Sequence, residues 1–244
     1  MKIDAAQLDM LGYLSALPMF NELSPAARHS LLPHCSLLRF TRDDMIFRKG
    51  EGCEELHVLV SGRIKLYVVS AAGQEKVVEL VEPGHSFAEA AMLLESLYLL
   101  NARALTATLL LRIDKQAVME QMAKNHRFSK QMLEKFAQRI QGLLRDVEGY
   151  ALHSGVQRLI DYLLNNLTGE HPRTGVVSAY LPASKATIAS RLSLTPEYFS
   201  RVLLELKIAG LIEIDKREIR ILDVHQLATY GGHGSLTFMR PERE

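Results

Sequence analysis

Three side chains near the C-terminus combine a carboxylate, a hydroxyl and a guanidinium on a short stretch of chain: Glu197, Ser200 and Arg201. A guanidinium can donate two hydrogen bonds to one guanine, and a carboxylate can accept one from cytosine N4. On the exposed side of a short helix, this set is suited to contacts with base edges in the DNA major groove. Phosphate or positioning contacts, which carry no base-sequence information, are expected from Lys185, Thr195 and Tyr198.

The sequence around these residues predicts two short helices joined by a tight turn. Apolar residues between 188 and 192 are followed by a break at Ser193-Leu194, after which a second helix begins. Thr195 is a suitable N-cap, and Pro196 fits the first helical position because its missing N–H would have no partner there. One side of the second helix is apolar and is formed by Phe199, Val202, Leu203 and Leu206. Amphipathic helices of this kind also occur in proteins that bind no DNA, so this pattern alone leaves both interpretations open.

The stretch after these helices favours the DNA-binding interpretation. Residues 211–221 alternate between apolar and polar types around Asp215-Lys216-Arg217, which predicts a β-hairpin. A helix-turn-helix followed by a hairpin is the arrangement of a winged DNA-binding module. Because the charges of the hairpin are mixed, we do not expect it to bind phosphates strongly.

The composition is that of an ordinary globular protein. The 244 residues are 48% hydrophobic and 23% charged, and the net charge is +1, so any basic surface must be local. No apolar run approaches the roughly 20 residues that cross a bilayer, and the N-terminus lacks a basic-then-apolar signal pattern. Cys35 and Cys53 are too few for a disulfide framework or for a cluster with four thiolate ligands. We therefore expect a cytoplasmic protein with reduced thiols and no membrane partner.

The N-terminal half predicts helices followed by an antiparallel β-structure. Residues 5–32 have a helical pattern that breaks near Leu17-Pro18 and restarts at Ser24-Pro25. Between 37 and 113, short apolar segments alternate with Gly-bearing turns, which predicts a β-barrel or roll of about 80 residues. The predicted strands cover 45–47, 56–60, 64–69, 76–81 and 105–113, and residues 86–94 interrupt them with a brief helical piece.

One long helix is predicted over residues 114–150, and its apolar residues recur with the 3–4 spacing of a coiled coil. The predicted dimer interface consists of Leu133, Phe136, Ile140, Leu143, Val147 and Tyr150. Such a seam favours a two-fold homodimer, which would also place two helix-turn-helix units on two DNA half-sites. The alternative is a helix buried against its own barrel, which the additional apolar residues Met132 and Leu144 also permit.

The predicted fold class is α+β, with four successive regions. Residues 1–113 form a sensor domain of N-terminal helices and β-roll, and residues 114–152 form the dimerisation helix region. Residues 153–230 form the winged helix-turn-helix domain, and residues 231–244 form a mobile tail.

This order of elements resembles the Crp/Fnr family of transcription regulators over roughly residues 14–224. Specific matches are Ser61-Gly62-Arg63-Ile64-Lys65-Leu66-Tyr67 and Phe87-Ala88-Glu89-Ala90 in the roll, and Pro196-Glu197-Tyr198-Phe199-Ser200-Arg201 in the helix-turn-helix. The resemblance implies a cyclic-nucleotide-binding-like β-roll, a dimerisation helix and a winged helix-turn-helix. It also implies double-stranded DNA and RNA polymerase as partners, and a TTGAT-like inverted repeat as the DNA site.

The effector implied by the resemblance depends on the subgroup. Members that bind cyclic AMP carry a Gly-Glu pair and a later Arg-Ser pair, where this chain has Ala88-Glu89 and the stretch Tyr98-Leu99-Leu100. Because a phosphate buried beside leucines would lack a cationic partner, we expect no cyclic AMP binding. Iron–sulfur members need four cysteines, so no such cluster is expected. The chain looks most like the Dnr-type regulators, which are thought to sense nitric oxide through haem b in the roll.

The residues expected to line the effector pocket are Phe87, Glu89, Met92, Tyr98 and Leu99, with further apolar lining from residues 93–111. No residue is identified as the metal ligand. A proximal histidine is common in haem proteins, so the candidates are His29, His34, His57 and His85, with Met92 and Cys53 also open. Each of these histidines can equally be an ordinary hydrogen-bonded or exposed side chain.

Two other classes of function compete with this interpretation. The first is a Crp-like regulator or regulatory module that binds a cyclic nucleotide or another small effector without haem. The second is a metal-dependent enzyme built on a small β-barrel, which would need two or three histidines and a glutamate at converging positions. His57 and His85 stand alone within residues 37–113, and the chain has no P-loop or dinucleotide fingerprint. We therefore expect that the protein is not an enzyme.

Overall fold

The computed structural model describes residues 5–168 and 176–230, which belong to two compact units. The first unit comprises residues 1–141 and the second comprises residues 142–244, so the division falls within one long helix. The predicted tail, residues 231–244, lies outside the described residues.

Two four-stranded antiparallel sheets form the β-structure of the first unit. One sheet has the strand order β1-β8-β3-β6 and the other has the order β2-β7-β4-β5. The strands are β1 (Cys35–Phe40), β2 (Met45–Phe47), β3 (Glu55–Ser61), β4 (Ile64–Val69), β5 (Glu75–Val81), β6 (Ser86–Phe87), β7 (Asn101–Ala104) and β8 (Thr108–Asp114). One hydrophobic core takes side chains from both sheets, which explains the alternating apolar pattern of the strands.

The predicted strand over 105–113 is wrong at its beginning, and β1 was not predicted. β7 pairs with β2 and β4 in one sheet, whereas β8 pairs with β1 and β3 in the other, so the chain changes sheets at residues 105–107. Gly62 lies beside this crossing with φ +93°, and an added Cβ would lie 2.4 Å from the carbonyl oxygen of Ala107. Glycine is therefore required both by the backbone conformation and by the close approach of the two segments.

The helices of the first unit pack around these sheets. They are α1 (Ala5–Ala16), α2 (Pro25–Leu31), α3 (Glu89–Leu93), α4 (Lys115–Lys124) and α5 (His126–Leu152). α2 begins as predicted, since the Ser24 hydroxyl accepts a hydrogen bond from the Ala27 amide at 3.2 Å. α3 follows Ala88, which has left-handed backbone angles (φ 62°) that a glycine would adopt with less strain.

The predicted single helix over 114–150 is wrong, because α4 and α5 are separate helices. Asn125 has extended backbone angles between them, and its side-chain oxygen accepts a hydrogen bond from the Phe128 amide at 3.2 Å. This contact caps the start of α5, a position at which asparagine is favoured. The break lets α4 pack against β8 and β3, while α5 continues as a helix of 27 residues.

The second unit contains the predicted helix-turn-helix and hairpin. Its helices are α6 (Gly155–Asn165), α7 (Lys185–Arg191), α8 (Pro196–Ile208) and α9 (Val224–Thr229). Its strands are β9 (Leu167–Thr168), β10 (Val177–Tyr180), β11 (Ile212–Asp215) and β12 (Glu218–Ile221), and they form a sheet in the order β11-β12-β10-β9. The hairpin turns at Lys216 with a positive φ, while β9 and β10 were not predicted. The predicted order of β-roll, long helix and winged helix-turn-helix is confirmed.

Within the two described ranges, no helix combines the length and the apolar character that crossing a membrane requires.

Candidate functional site

α8 has an apolar side that is buried and a polar side that is open. The Thr195 hydroxyl accepts a hydrogen bond from the Tyr198 amide at 3.2 Å, so Thr195 caps the helix and Pro196 is its first residue. The predicted apolar side is buried, with at most 1% of each residue exposed, and consists of Phe199, Val202, Leu203 and Leu206. Because this side anchors the helix in the core of the second unit, the opposite side has a defined orientation.

Glu197, Ser200 and Arg201 are all exposed on that opposite side. The Arg201 guanidinium carbon lies 4.8 Å from the centre of the Tyr198 ring, which is the geometry of a cation–π contact. A shallow groove beside these residues is lined by Ser193, Leu194, Thr195, Glu197, Tyr198 and Arg201. The structure therefore brings together five of the six residues expected to contact DNA. The sixth, Lys185, is exposed as the first residue of α7.

Gly155 at the start of α6 leaves room for the Tyr198 ring. A Cβ at Gly155 would lie 2.5 Å from Tyr198 Cε1 and 3.0 Å from Leu194 Cδ2, distances too short for real contacts. Ser154 caps α6, and Gly155 does not have a left-handed backbone conformation. Glycine is therefore required at this position only because a side chain would collide with Tyr198 and Leu194. Sequence reasoning missed this residue, although a glycine in the first turn of a helix is itself unusual.

We expect Gly155→Ala to weaken specific DNA binding while leaving the protein folded. The added methyl group must displace the Tyr198 ring, which lowers the free energy of unfolding by about 1–3 kcal/mol. The displaced ring would no longer hold the Arg201 guanidinium in its cation–π contact. Loss of an exposed cation–π contact corresponds to roughly a two- to five-fold lower affinity per half-site. Fluorescence anisotropy with a specific duplex, together with thermal unfolding, measures both effects.

Gly149→Ala is the matched control, because an added Cβ there would lie 3.9 Å from Arg158 Cγ, an ordinary contact. If Gly155→Ala and Gly149→Ala bind the duplex equally well, the position of Tyr198 is not needed for binding.

The end of α5 is hydrogen-bonded to the first helix of the helix-turn-helix. The Tyr150 hydroxyl donates to the carbonyl oxygen of Arg191 at 2.7 Å, and Arg191 donates to that hydroxyl at 2.9 Å. Arg191 also forms an ion pair with Asp146 of α5 at 2.6 Å. Burial alone would lower the pKa of Arg191, but Asp146 outweighs it and raises the pKa, so the guanidinium stays charged. Tyr150 thus supports α7 in addition to its place in the apolar seam.

Most of the predicted dimer seam is open on the surface of α5. Leu133, Ile140, Leu143, Val147 and Tyr150 are exposed, which is unusual for so many apolar residues on one helix face. Phe136 differs, because it is half-buried and packs against the hydrophobic core of the first unit. The alternative prediction, a helix buried against its own barrel, holds for the beginning of α5, where Phe128 and Met132 are buried.

Four of the five residues expected in the effector pocket are buried in the first unit: Phe87, Glu89, Met92 and Tyr98. The expectation for Leu99 is wrong, since its side chain is 70% exposed. Of the residues 93–111 that were expected to add apolar lining, Leu110 and Leu111 are buried in the hydrophobic core, whereas Leu94 and Leu97 are exposed as well. The reason is that residues 94–100 follow α3 as an irregular segment without a sheet partner for most of its length.

Glu89 is engaged by partners within the protein. It accepts hydrogen bonds from the Ser86 hydroxyl and from the Arg139 guanidinium, the latter at 2.5 Å. Arg139 reaches from α5 and also binds both carboxylate oxygens of Glu79, at 2.6 and 2.7 Å. Burial alone would lower the pKa of Arg139, but the two carboxylates outweigh it and raise the pKa. Sequence reasoning missed Arg139 and Glu79, which lie 60 residues apart in the chain.

His57 lies in a cluster of aromatic rings next to this network. Its Nε2 is 2.8 Å from the Tyr98 hydroxyl, and its ring centre is 5.5 Å from Phe47 and 5.4 Å from Phe87. Tyr98 stacks on Phe47 with ring centres 3.7 Å apart. Burial, with a smaller contribution from Arg112, lowers the pKa of His57 to about 4, so the imidazole is neutral at pH 7.

The second nitrogen of His57, Nδ1, is buried and has no hydrogen-bond partner among the described residues. When Nε2 carries the proton and donates to Tyr98, Nδ1 has an unused lone pair, which is what a metal ligand needs. Among the other candidates, Met92 and Cys53 are buried, His29 is half-buried, and His34 and His85 are exposed. The His34 ring lies 3.2 Å from Asp114.

Over residues 5–168 and 176–230, no group of three or more His, Cys, Asp and Glu side chains is arranged to hold a metal ion.

Comparisons with known proteins match both units. Residues 37–125 match the family model of the cyclic nucleotide-binding domain, and residues 157–230 match that of the Crp-like helix-turn-helix domain. The chain is 25% identical over 194 residues to the transcriptional regulator LdrP of Thermus thermophilus, covering 80% of this chain and 96% of that protein.

Two solved structures are similar as well. FixK2 from Bradyrhizobium japonicum is 20% identical with a TM-score of 0.68, over 79% of this chain and 95% of that chain. The sensor domain of the transcriptional regulator DNR from Pseudomonas aeruginosa is 27% identical with a TM-score of 0.52, over 58% of this chain and 95% of that chain.

Proposed function

Because the chain belongs to the Crp/Fnr family of DNA-binding transcription regulators, which are not enzymes, we propose that it binds a TTGAT-like inverted repeat as a homodimer. The observation that carries this proposal is the open side of α8, where Glu197, Ser200 and Arg201 are exposed beside one another. A helix of this kind enters the major groove with the residues of its N-terminal half facing the bases.

Each residue of that side has a distinct role in the proposed complex. Arg201 donates two hydrogen bonds to guanine O6 and N7, and Glu197 accepts one from a base of the paired strand. Ser200 contacts either strand, while Lys185, Thr195 and Tyr198 contact phosphates or position the neighbouring side chains. Recruitment of RNA polymerase by the DNA-bound dimer completes the proposed role.

The DNA proposal is tested by fluorescence anisotropy with a duplex that carries the TTGAT inverted repeat and with a duplex of scrambled sequence. Salt concentration must be the same in both titrations, because phosphate contacts make affinity strongly salt-dependent. We expect binding to the repeat to be at least about a thousand-fold tighter than to the scrambled duplex. Equal affinity for both duplexes would contradict the proposed sequence specificity.

We propose that α5 carries the signal of effector binding from the sensor domain to the helix-turn-helix. This helix carries Arg139, which binds Glu79 and Glu89 of the sensor, and also Tyr150, which binds Arg191 of the helix-turn-helix. An effector that changes the contacts of Arg139 would shift the population between two positions of α5 in the dimer. The spacing of the two recognition helices, and therefore their fit to adjacent half-sites, would change with it.

For the effector we propose nitric oxide, sensed through haem b in the sensor domain. The proposal is supported by the likeness to the sensor domain of DNR and by the neutral, buried His57 with its unpartnered Nδ1. His57 would bind the haem, and Met92, Phe47 and Phe87 would supply apolar contacts to it. A bound haem iron supplies the coordination position that nitric oxide occupies. Since the rings around His57 contact one another, they must separate to admit a macrocycle.

We expect reconstituted protein to show a stoichiometric Soret band that shifts when the iron is reduced and nitric oxide is added. His57→Gln should lose this band, whereas His34→Gln, a substitution at an exposed histidine, should keep it. An unchanged band in His57→Gln would exclude His57 as the ligand. A spectrum without stoichiometric haem would contradict the haem proposal and leave the DNA-binding role intact.

A cyclic nucleotide is the alternative effector, because the family model that matches residues 37–125 is named for this ligand. Two features argue against it. Glu89 already binds Arg139 and Ser86, and the stretch Tyr98-Leu99-Leu100 contains no arginine and exposes Leu99. A titration with cyclic AMP, read out by thermal unfolding, separates the two effectors, since a ligand that binds the folded state raises the melting temperature.

A further inference from the structure

The open side of α8 carries two apolar residues that the proposed DNA contacts leave unused. Leu204 is 55% exposed and Ile208 is 78% exposed, although the helix already buries a complete apolar side in the core. Successive residues of an α-helix are about 100° apart, so Leu204 points about midway between Ser200 and Arg201. Leu204 therefore lies in the centre of the surface that faces the bases.

The position of Leu204 along the helix places it next to the residues that read bases. With a rise of 1.5 Å per residue, it lies about 4.5 Å beyond Arg201 along the axis. Ile208 lies about 10 Å beyond Arg201 and is the last residue of the helix. Leu204 is the ninth of the thirteen residues of α8. Because helical side chains point back towards the N-terminus, its side chain reaches towards the level of Ser200 and Arg201, whereas that of Ile208 lies one turn further from them.

An apolar side chain in the major groove has one complementary group on the bases, the C5-methyl group of thymine. The other base edges in that groove present hydrogen-bond donors and acceptors, which a leucine cannot satisfy and would desolvate. The proposed TTGAT half-site contains thymines on both sides of the guanine assigned to Arg201.

We propose that Leu204 is a specificity-determining residue that contacts the methyl group of a thymine adjacent to the guanine bound by Arg201. This inference rests on the proposed DNA-binding function and adds apolar recognition to its hydrogen-bonding contacts. It predicts that the protein distinguishes thymine from uracil at one position of each half-site.

The test replaces the thymines of each half-site, one position at a time, with deoxyuridine, which removes the methyl group and keeps the hydrogen-bonding pattern. The duplex is one that the protein itself selects from random sequence, so that the test does not depend on the TTGAT assignment. For the wild-type protein we expect one position to respond, with about four-fold weaker binding per half-site and about fifteen-fold for the repeat.

Variants of α8 complete a double-mutant cycle. Leu204→Ala should bind the thymine and deoxyuridine duplexes equally, because the methyl group has lost its partner. Ile208→Ala is the matched control and should keep the wild-type dependence on the methyl group. Thermal unfolding verifies that both variants are folded, as expected for exposed positions.

The outcomes separate the inference from the proposed function. If the wild-type protein selects a specific sequence but no deoxyuridine substitution weakens binding, the inference is overturned and the DNA-binding role stands. A methyl dependence that persists in Leu204→Ala also overturns the inference, as does its loss in Ile208→Ala alone. If no sequence is selected from random DNA, both the inference and the proposed function fail.

Discussion

Arg201→Ala is expected to lower specific DNA affinity by about 1–3 kcal/mol per half-site, which is roughly five- to 150-fold. The guanidinium is exposed on α8 and held over the Tyr198 ring, so it is oriented before DNA arrives and little side-chain entropy is lost on binding. Its removal leaves guanine O6 and N7 without donors. Anisotropy titrations with the specific and scrambled duplexes at one salt concentration measure the change.

Arg201→Lys is the matched control for charge. Lysine keeps the positive charge but cannot form the two parallel hydrogen bonds of a guanidinium, so non-specific affinity should stay near the wild-type value while specificity falls. The assignment of Arg201 would be refuted by an alanine variant that distinguishes the two duplexes as well as the wild-type protein does.

The double substitution Ile140→Asp with Val147→Asp is expected to convert the dimer into monomers and to abolish detectable binding to the inverted repeat. The two residues are 57% and 63% exposed in the isolated chain and occupy equivalent positions of the seam. Four unpaired carboxylates in one apolar interface would carry a large desolvation cost. Sedimentation velocity gives the oligomeric state, and anisotropy gives the binding.

Arg145→Asp is the control, because it introduces the same side chain on the opposite side of α5. Phe136 is unsuitable for this test despite its place in the predicted seam, since it packs against the sensor core and its substitution would disturb that unit. Dimers that persist in the double variant would rule out this seam as the interface.

Local patterns account for the parts of the fold that the sequence predicts well. The start of α8 follows from Thr195-Pro196, and its burial follows from apolar residues three and four positions apart. The hairpin of β11 and β12 follows from the alternation of apolar and polar residues around a polar turn, and the start of α2 follows from Ser24-Pro25. In each case the signal lies within a dozen residues, so neighbouring side chains decide the structure.

Long-range contacts account for the errors. The break at Asn125 ends a helix that packs against β3 and β8 and allows α5 to begin in a new direction, and periodicity alone does not reveal this division. The strand predicted over 105–113 begins only at residue 108, because residues 105–107 connect β7 in one sheet with β8 in the other. Leu99 is apolar, as a pocket residue would be, but it lies on an irregular segment and its side chain is exposed.

The sequence by itself determined the order of the elements, the buried and open sides of α8, and the absence of an arginine from the stretch Tyr98-Leu99-Leu100. These properties depend on residue type and on spacing along the chain. Only the tertiary structure decided that Arg139 binds Glu79 and Glu89, that His57 is neutral with Nδ1 unpartnered, and that Gly155 makes room for Tyr198. Those contacts join residues that are far apart in the chain, so burial and distance, which create their chemistry, arise only when the chain folds.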